Sequence, residues 1–307
     1  FFISNRMYQS YLKSYKTYLQ IERAMSSNTI LSYVGDVEKF LNFIIDNGNT
    51  PLTSLTHNEI SDYIAFLVDN KISKTSQART ISSLRSFFNF LMLEKVIDTN
   101  PMEIIELPKL GRYLPEVLSV EEVENILNSV DLSMPNGQRN RAILETLYSC
   151  GLRVSELVNL KISDIFFDEM FVRVLGKGSK ERLVPIGKIA VKHINFYITG
   201  NRNSIKPKKG CEDYVFLNNR GGKLTREMIF IIVKEHAAKA NVVKNVSPHT
   251  FRHSFATHLI QNGADIRIVQ EMLGHESIMT TEIYTHIDKM HLKSVIDKYH
   301  PFNKMEH

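Results

Sequence analysis

The chain has 307 residues, of which 43% are hydrophobic and 23% are charged, and its formal net charge is +5 at neutral pH. This length and composition suit two folded domains and argue against disorder. No apolar stretch approaches the roughly 20 residues that span a bilayer, and the first residues lack the pattern of a signal peptide. The two cysteines, Cys150 and Cys211, fit a reducing compartment and form no metal-binding spacing, so a cytoplasmic protein is expected.

The first hundred residues are predicted to form four helices. Apolar residues recur at helical spacing between residues 33 and 44. Thr56 and Glu59 have the spacing of a capping box, which predicts a helix that continues to about Leu67. A fourth helix is expected from about residue 75 to residue 95, and it must end before Pro101, because the residue before a proline disfavours the helical conformation. The N-terminal part is therefore predicted to be a small helical domain.

Prolines and a glycine interrupt regular structure after this helical part. We place the N-terminal domain at residues 1–107, a linker at 108–117 and a second domain at 118–307. The second domain opens with another capping box, at residues 119–122.

The periodicity of the second domain changes from helical to extended and back. Helical patterns run to about Cys150 and resume after Val154, whereas residues 171–174 and 182–185 are predicted to be short strands. The glycine-rich turn 176–180 lies between them, and the rest of the chain is predicted to be mostly helical. The predicted fold class is thus mainly α with a small β-sheet.

Two arginines are candidates for binding a phosphodiester, because the planar guanidinium donates two parallel hydrogen bonds to phosphate. Arg153 follows Cys150-Gly151-Leu152, where one helix is predicted to end and the next to begin. Arg252 lies three residues after His249, which places both on one helical face. Ser247 and Pro248 have the character of a cap and a first helical residue, and a helix N-terminus favours anions.

Four further residues could take part in chemistry on a phosphodiester. His275 follows Gly274 at the predicted end of a helix, where it could donate a hydrogen bond to phosphate. Tyr284 could act as a nucleophile if nearby positive charge favours its phenolate, since the pKa of a free phenol is near 10. Lys177, in the predicted turn, could protonate a leaving oxygen, and Glu156 could support Arg153 or a histidine by hydrogen bonding. Each of these residues alone also fits an ordinary structural role.

Other chemistries find less support in the sequence. The chain has no P-loop, no dinucleotide-binding glycine motif and no His-Glu-x-x-His zinc motif. His249 and His253 are four residues apart, but no acidic third ligand lies near them in sequence. We therefore expect neither a metal nor a cofactor.

The chain resembles the tyrosine recombinases of the phage-integrase family, specifically the Xer type, and is most like its XerD branch. The resemblance covers nearly the whole chain. Six residues match the family's catalytic set in order: Arg153, Lys177, His249, Arg252, His275 and Tyr284. The segments Gly-Leu-Arg-Val-Ser-Glu-Leu, Gly-Lys-Gly-Ser-Lys-Glu-Arg, Leu-Gly-His and Ile-Tyr-Thr-His match as well. The resemblance implies a four-helix core-binding (SAM-like) domain followed by an α+β catalytic domain.

The resemblance also implies a role for each catalytic residue. Tyr284 would attack the scissile phosphate and form a 3′-phosphotyrosyl link, while Lys177 would act as general acid on the leaving 5′ oxygen. The two arginines and His275 would stabilise the transition state, and His249 would assist Tyr284. Rejoining would then need neither ATP nor metal.

Double-stranded DNA at a recombination site is the expected partner, clamped between the two domains. The candidate DNA contacts lie on the fourth helix and at the start of a later helix, and they are Thr75, Ser76, Arg79, Arg85, Thr225 and Arg226. Four protomers would assemble on two sites, with a paralogous recombinase and a septal DNA translocase as further possible partners. A helix is expected in residues 291–307, which would pack in cis or dock onto a neighbouring protomer.

The leading hypothesis is a recombinase that resolves chromosome dimers at cell division. An integrase or transposase of a mobile element would use the same chemistry on another target. A type IB topoisomerase-like enzyme would relax supercoils without exchanging strands, and a DNA-binding protein without cleavage activity would not need the catalytic set.

Overall fold

A computed structural model describes residues 2–48, 50–108, 116–176, 181–274 and 286–303, with the side chains of 2–6, 286–289 and 303 left out. The chain divides into two compact units, Phe1–Tyr113 and Leu114–His307. The division falls within the predicted linker, of which residues 109–115 lie outside the described part. In the described segments no helix is both long and apolar enough to span a membrane.

The first unit contains the four helices that the sequence predicts. Their bounds are α1 Phe2–Ile21, α2 Ser27–Asp46, α3 His57–Asp69 and α4 Lys74–Leu93. The predicted capping box of α3 is present, because Glu59 accepts a hydrogen bond from the backbone N–H of Thr56 at 2.8 Å. The helix continues one half-turn beyond the predicted end, whereas α4 stops slightly earlier than predicted.

Aromatic side chains fill the core of the first unit. Phe40 of α2 lies edge-on to Tyr63 of α3, with ring centroids 5.2 Å apart, and to Phe88 of α4 at 5.9 Å. Tyr15 of α1 contacts Phe87 at 5.2 Å in the same geometry. Edge-to-face pairs of this kind stabilise a core beyond the apolar area that they bury, so each helix is fixed by rings from its neighbours.

The second unit consists of eight helices and one small sheet in its described part. The helices are α5 Val120–Asn128, α6 Gly137–Cys150, α7 Val154–Asn159, α8 Lys188–Thr199, α9 Arg226–Lys239, α10 Pro248–Gln261, α11 Ile266–Leu273 and α12 His286–Tyr299. The strands are β1 Ile165–Phe166, β2 Phe171–Leu175 and β3 Glu181–Pro185, in the order β1-β2-β3. The predicted fold class, mainly α with a small sheet, is confirmed.

Strands β2 and β3 are antiparallel, with Phe171 opposite Pro185 and Leu175 opposite Glu181. The two predicted strands are therefore confirmed, while the predicted turn between them falls largely on residues 177–180, outside the described residues. Strand β1 was not predicted, because two residues are too short to show an alternating pattern.

Helix α12 packs against the core of its own unit. Leu292, Val295 and Ile296 are buried there, and α12 contacts β3 and α10. Behind it, the buried His300 ring lies 4.9 Å from the ring of Tyr148 in α6. Of the two predicted arrangements for the tail, this structure therefore has the one within the same chain.

Candidate active site

Arg153 is placed by the tight junction between α6 and α7. Helix α6 ends at Gly151, whose φ of 57° is left-handed, and a Cβ there would meet the Phe255 ring at 2.5 Å. Only glycine fits this conformation and this close approach. Arg153 follows as the N-cap of α7, and its side chain is 35% exposed. The sequence-based expectation of a turn at this position is confirmed.

Glu156 fixes the orientation of Arg153. One carboxylate oxygen accepts from the backbone N–H of Arg153 at 2.8 Å, and the other accepts from its guanidinium at 2.9 Å. The Glu156 side chain is only 2% exposed. Burial alone raises the pKa of the Glu156 carboxyl, but the hydrogen bonds and charges of Arg182 and Arg153 outweigh burial, so the pKa lies below its usual range. The carboxylate is therefore ionised at neutral pH.

Arg252 reaches the same junction from α10. The predicted start of that helix is confirmed, with Ser247 as N-cap and Pro248 in the first turn. The guanidinium donates to the carbonyl oxygen of Gly151 at 2.7 Å and to that of Leu273. Burial, and then the positive charge of Arg153, lower the pKa of Arg252 to about 10, which leaves it charged at pH 7.

The two arginines converge on the end of α11. Arg153 donates to the carbonyl oxygen of Gly274 at 2.9 Å, while Arg252 binds the preceding carbonyl, that of Leu273. They come from positions 99 residues apart in the sequence. Gly274 immediately precedes His275 in the chain, so the arginines meet at the start of the segment that carries two more of the predicted catalytic residues.

His249 lies in the first turn of α10 and is exposed to solvent. It lines an open cleft of about 440 Å³ together with Val154, which follows Arg153, and Arg226 of α9. The cleft thus adjoins the arginine pair and carries a histidine and a further arginine at its edge.

Three of the six predicted catalytic residues, Lys177, His275 and Tyr284, lie outside the described residues. The catalytic roles of all six residues stay predictions. In the described ranges, no cluster of three or more histidine, cysteine or acidic side chains could hold a metal ion.

Sequence reasoning missed Arg182, at the start of β3. Its side chain is 7% exposed, and it donates to both oxygens of Glu156, at 2.7 and 3.0 Å. A third hydrogen bond runs from its Nε to the carbonyl oxygen of Met272 at 2.8 Å. The only sign of Arg182 in the sequence was its place at the end of the segment Gly-Lys-Gly-Ser-Lys-Glu-Arg. That place does not indicate which residue Arg182 binds.

Some of the predicted DNA contacts of the first unit bind other groups of the same chain. Arg79 pairs with Asp36 of α2 at 3.0 Å while its side chain stays 47% exposed. Arg85 donates to the carbonyl oxygen of Ile105 at 2.6 Å, which reduces its availability for a phosphate. Thr75 is exposed and Ser76 half-buried, both in the first turn of α4. The structure thus favours Arg79 over Arg85 as a surface cation.

The remaining candidates lie at the start of α9. Thr225 is its N-cap and accepts from the backbone N–H of Met228 at 3.3 Å. Arg226 follows as the first residue of the helix and is exposed. Thr225 thus has a capping role of its own, and Arg226 extends into solvent at the edge of the cleft.

Residues 116–291 match the model of the Phage integrase family, and residues 12–95 match that of the Phage integrase N-terminal SAM-like domain. "Tyrosine recombinase XerD" of Listeria monocytogenes serotype 4b (strain F2365) is 43% identical over 94% of this chain and 98% of that protein. The protein of the same name from Chlorobaculum tepidum is 44% identical over 94% of this chain and 96% of that protein. A solved structure of XerH site-specific recombinase bound to palindromic difH substrate is 25% identical, with a TM-score of 0.68, over 87% of this chain and 79% of that one. The chain therefore belongs to the phage integrase family and is a Xer-type tyrosine recombinase, an enzyme that cleaves and rejoins DNA at specific sites.

Proposed function

We propose that the arginine pair binds the scissile phosphate and that Tyr284 attacks it. The observation that carries this proposal is the convergence of Arg153 and Arg252 on the chain that directly precedes His275. Both guanidinium groups are held by hydrogen bonds, and both arginines are half-buried and not fully enclosed. Preorganised donors of this kind stabilise charge that develops on the non-bridging oxygens in the transition state.

The proposed reaction exchanges one phosphodiester for another. A bond forms between the Tyr284 oxygen and phosphorus, and the bond from phosphorus to the 5′ oxygen breaks, which leaves a 3′-phosphotyrosyl link. Lys177 donates a proton to the leaving 5′ oxygen, and His249 assists Tyr284 by proton transfer or hydrogen bonding. His275 joins the arginines in stabilising the transition state. The link conserves the energy of the phosphodiester, so a 5′-hydroxyl of the partner strand can reverse the step.

We infer that both units bind the duplex of a recombination site. The XerH structure, which is DNA-bound, supports this, as do the exposed Arg79 of the first unit and Arg226 of the second. Such contacts go mainly to phosphates, so binding should weaken steeply as salt rises.

Resolution of chromosome dimers at cell division, in the cytoplasm, is the biological role that we propose. The near full-length similarity to proteins named XerD supports it over a mobile-element integrase. We further propose that four protomers act on two sites, with a paralogous recombinase and a septal DNA translocase as partners. Conversion of dimeric to monomeric chromosomes in cells that lack their own recombinase tests this role. Monomeric chromosomes should appear only if Tyr284 is intact. Dimeric chromosomes that persist in the presence of active protein would contradict the role.

A nicked suicide duplex tests the chemistry. The duplex carries a candidate site. Cleavage releases the short strand that begins with the free 5′-hydroxyl, so the covalent adduct cannot be rejoined, accumulates and is seen on a denaturing gel. Wild type should give the adduct, and Tyr284→Phe should give none. No wild-type adduct on any cognate site, or an adduct with Tyr284→Phe, would refute the proposal. Strand exchange between two such sites then separates a recombinase from a topoisomerase-like enzyme.

A further inference from the structure

Three arginines bind consecutive carbonyl oxygens at the end of α11. Arg182 binds that of Met272, Arg252 that of Leu273, and Arg153 that of Gly274. The last carbonyls of a helix have no partner within the helix. Here each of three guanidinium groups satisfies one of them, so the end of the helix and the arginines fix one another.

Arg182 differs from the other two in its burial and its partners. Its side chain is 7% exposed, against 35% for Arg153. Its two terminal guanidinium nitrogens donate to the Glu156 carboxylate, and its Nε donates to the carbonyl oxygen of Met272. A guanidinium that is buried and bound in this way is not free to bind a phosphate, so its effect on the reaction must pass through its neighbours.

Glu156 is the neighbour that connects Arg182 to the site. One of its oxygens accepts from Arg153 at 2.9 Å and from Arg182 at 2.7 Å. Without Arg182, that carboxylate would lose two hydrogen bonds in a buried position and could rotate away from Arg153. Two hydrogen bonds from a planar fork fix a carboxylate in a way that a single donor does not.

Gly274 shows how closely Arg182 and the helix end are packed. A Cβ at Gly274 would lie 3.1 Å from Nε and 3.2 Å from the central carbon of the Arg182 guanidinium, and the φ of Gly274 is 67°. The chain leaves α11 across the face of this guanidinium, and the next residue is His275. Any displacement of Arg182 therefore moves the end of α11, to which Arg153 and Arg252 also bind.

We propose that Arg182 is a positioning residue for DNA cleavage, which holds Glu156 and the end of α11 together so that Arg153 and Arg252 keep their reactive arrangement. The proposal rests on the proposed function of the site. In this role Arg182 does not itself contact DNA. Removal of its side chain should therefore slow the chemical step and leave the affinity for DNA nearly unchanged.

Arg182→Met tests this, with Arg139→Met as the matched control. Arg139 is an equally buried arginine of the same unit that donates to the Leu217 carbonyl, away from the site. Affinity for DNA is measured in a Tyr284→Phe background, and cleavage is measured in single turnover on the suicide duplex with the chain of residues 1–307. We expect Arg182→Met to cleave about 100-fold more slowly, as for a displacement of roughly 1 Å at a reactive site. Its affinity for DNA should stay within about threefold of the wild-type value, and Arg139→Met should change neither quantity.

Two results would overturn the proposal. The first is cleavage by Arg182→Met as fast as by Arg139→Met, and the second is a loss of DNA affinity that accounts for the loss of cleavage. If Arg182→Met does not fold, Arg182→Lys is tested by the same criteria, since it keeps the charge but not the fork. A wild-type protein without adduct would refute the proposed function, whereas an adduct formed equally by wild type and Arg182→Met refutes only this inference.

Discussion

Asp36 of the first unit and Glu156 of the second are both buried carboxylates that bind arginine, but they do so differently. In the first unit, Asp36 accepts from Arg79 and from the Ser83 hydroxyl, both at 3.0 Å. In the second, Glu156 accepts from two arginines at once, Arg153 and Arg182. The carboxylates are almost equally buried, at 4% and 2% of the side chain exposed.

The difference lies in the freedom that is left to the arginine. Arg79 has one bond to Asp36 and is 47% exposed, so its guanidinium can adjust to a phosphate along a groove. Arg153 is bound by Glu156 and by the Gly274 carbonyl, so its position is largely fixed. Binding of a DNA backbone tolerates adjustment, whereas stabilisation of a transition state requires donors that are already in place. Under the proposed function, the same kind of buried carboxylate–arginine pair would thus contribute to the affinity for DNA in the first unit and to the rate of cleavage in the second.

Among the changes that test this comparison of the two carboxylates, the largest effect is expected of Glu156→Gln. The amide leaves the positive charges of Arg153 and Arg182 without their shared counter-charge, so single-turnover cleavage should fall by about 10²–10³-fold. Glu145→Gln is the matched control, because Glu145 is an equally buried carboxylate of the same unit that pairs with Arg141, away from the site. The expectation fails if Glu145→Gln slows cleavage as much as Glu156→Gln.

Acid should weaken the second unit more than the first. Burial lowers the pKa of His300 to about 4, whereas the one histidine before residue 114, His57, is exposed. Between about pH 6.5 and 4 the unfolded chain binds a proton at His300 that the folded chain does not. The free energy of unfolding should therefore fall as the pH falls through this window, by up to about 3 kcal/mol for this group. Urea denaturation at pH 7 and pH 5 measures this fall, which should be smaller in His300→Asn; an equal fall in both proteins would contradict it.

Arg79→Ala should weaken DNA binding and reduce its salt dependence. Loss of one phosphate contact lowers the slope of log affinity against log salt by about 0.9. The control is Ser83→Ala, which removes the other partner of Asp36 without changing any charge and should leave the slope as it is. Binding titrations at several salt concentrations decide this, and an unchanged slope in Arg79→Ala would exclude a phosphate contact.

A smaller effect is expected from Asp36→Asn, which frees Arg79 from its ion pair. If Asp36 holds Arg79 ready for DNA, affinity should fall several-fold while cleavage at saturating protein concentration is maintained. Tighter binding would show instead that Asp36 competes with DNA for Arg79.

Local sequence predicted the elements that local interactions define. The cap at Ser247 and the capping box at Thr56 were recognisable because both partners lie within one turn of each other. The Arg182–Glu156 and Arg79–Asp36 pairs were not predictable, since their partners are 26 and 43 residues apart and meet only in the folded chain. For the same reason Arg85 was predicted as a DNA contact although its guanidinium is bound to the Ile105 carbonyl.

In the proposed function, the arginine pair neutralises negative charge on the scissile phosphate. The direct measurement compares Arg252→Ala with wild type on two suicide duplexes, one with an ordinary scissile phosphate and one with an uncharged methylphosphonate. On the phosphate, Arg252→Ala should cleave about 10²–10³-fold more slowly than wild type. On the methylphosphonate the two proteins should differ by less than about tenfold, because the charge that Arg252 offsets is no longer there. An equal deficit on both substrates would show that Arg252 acts through the structure of the site and not on the charge of the phosphate.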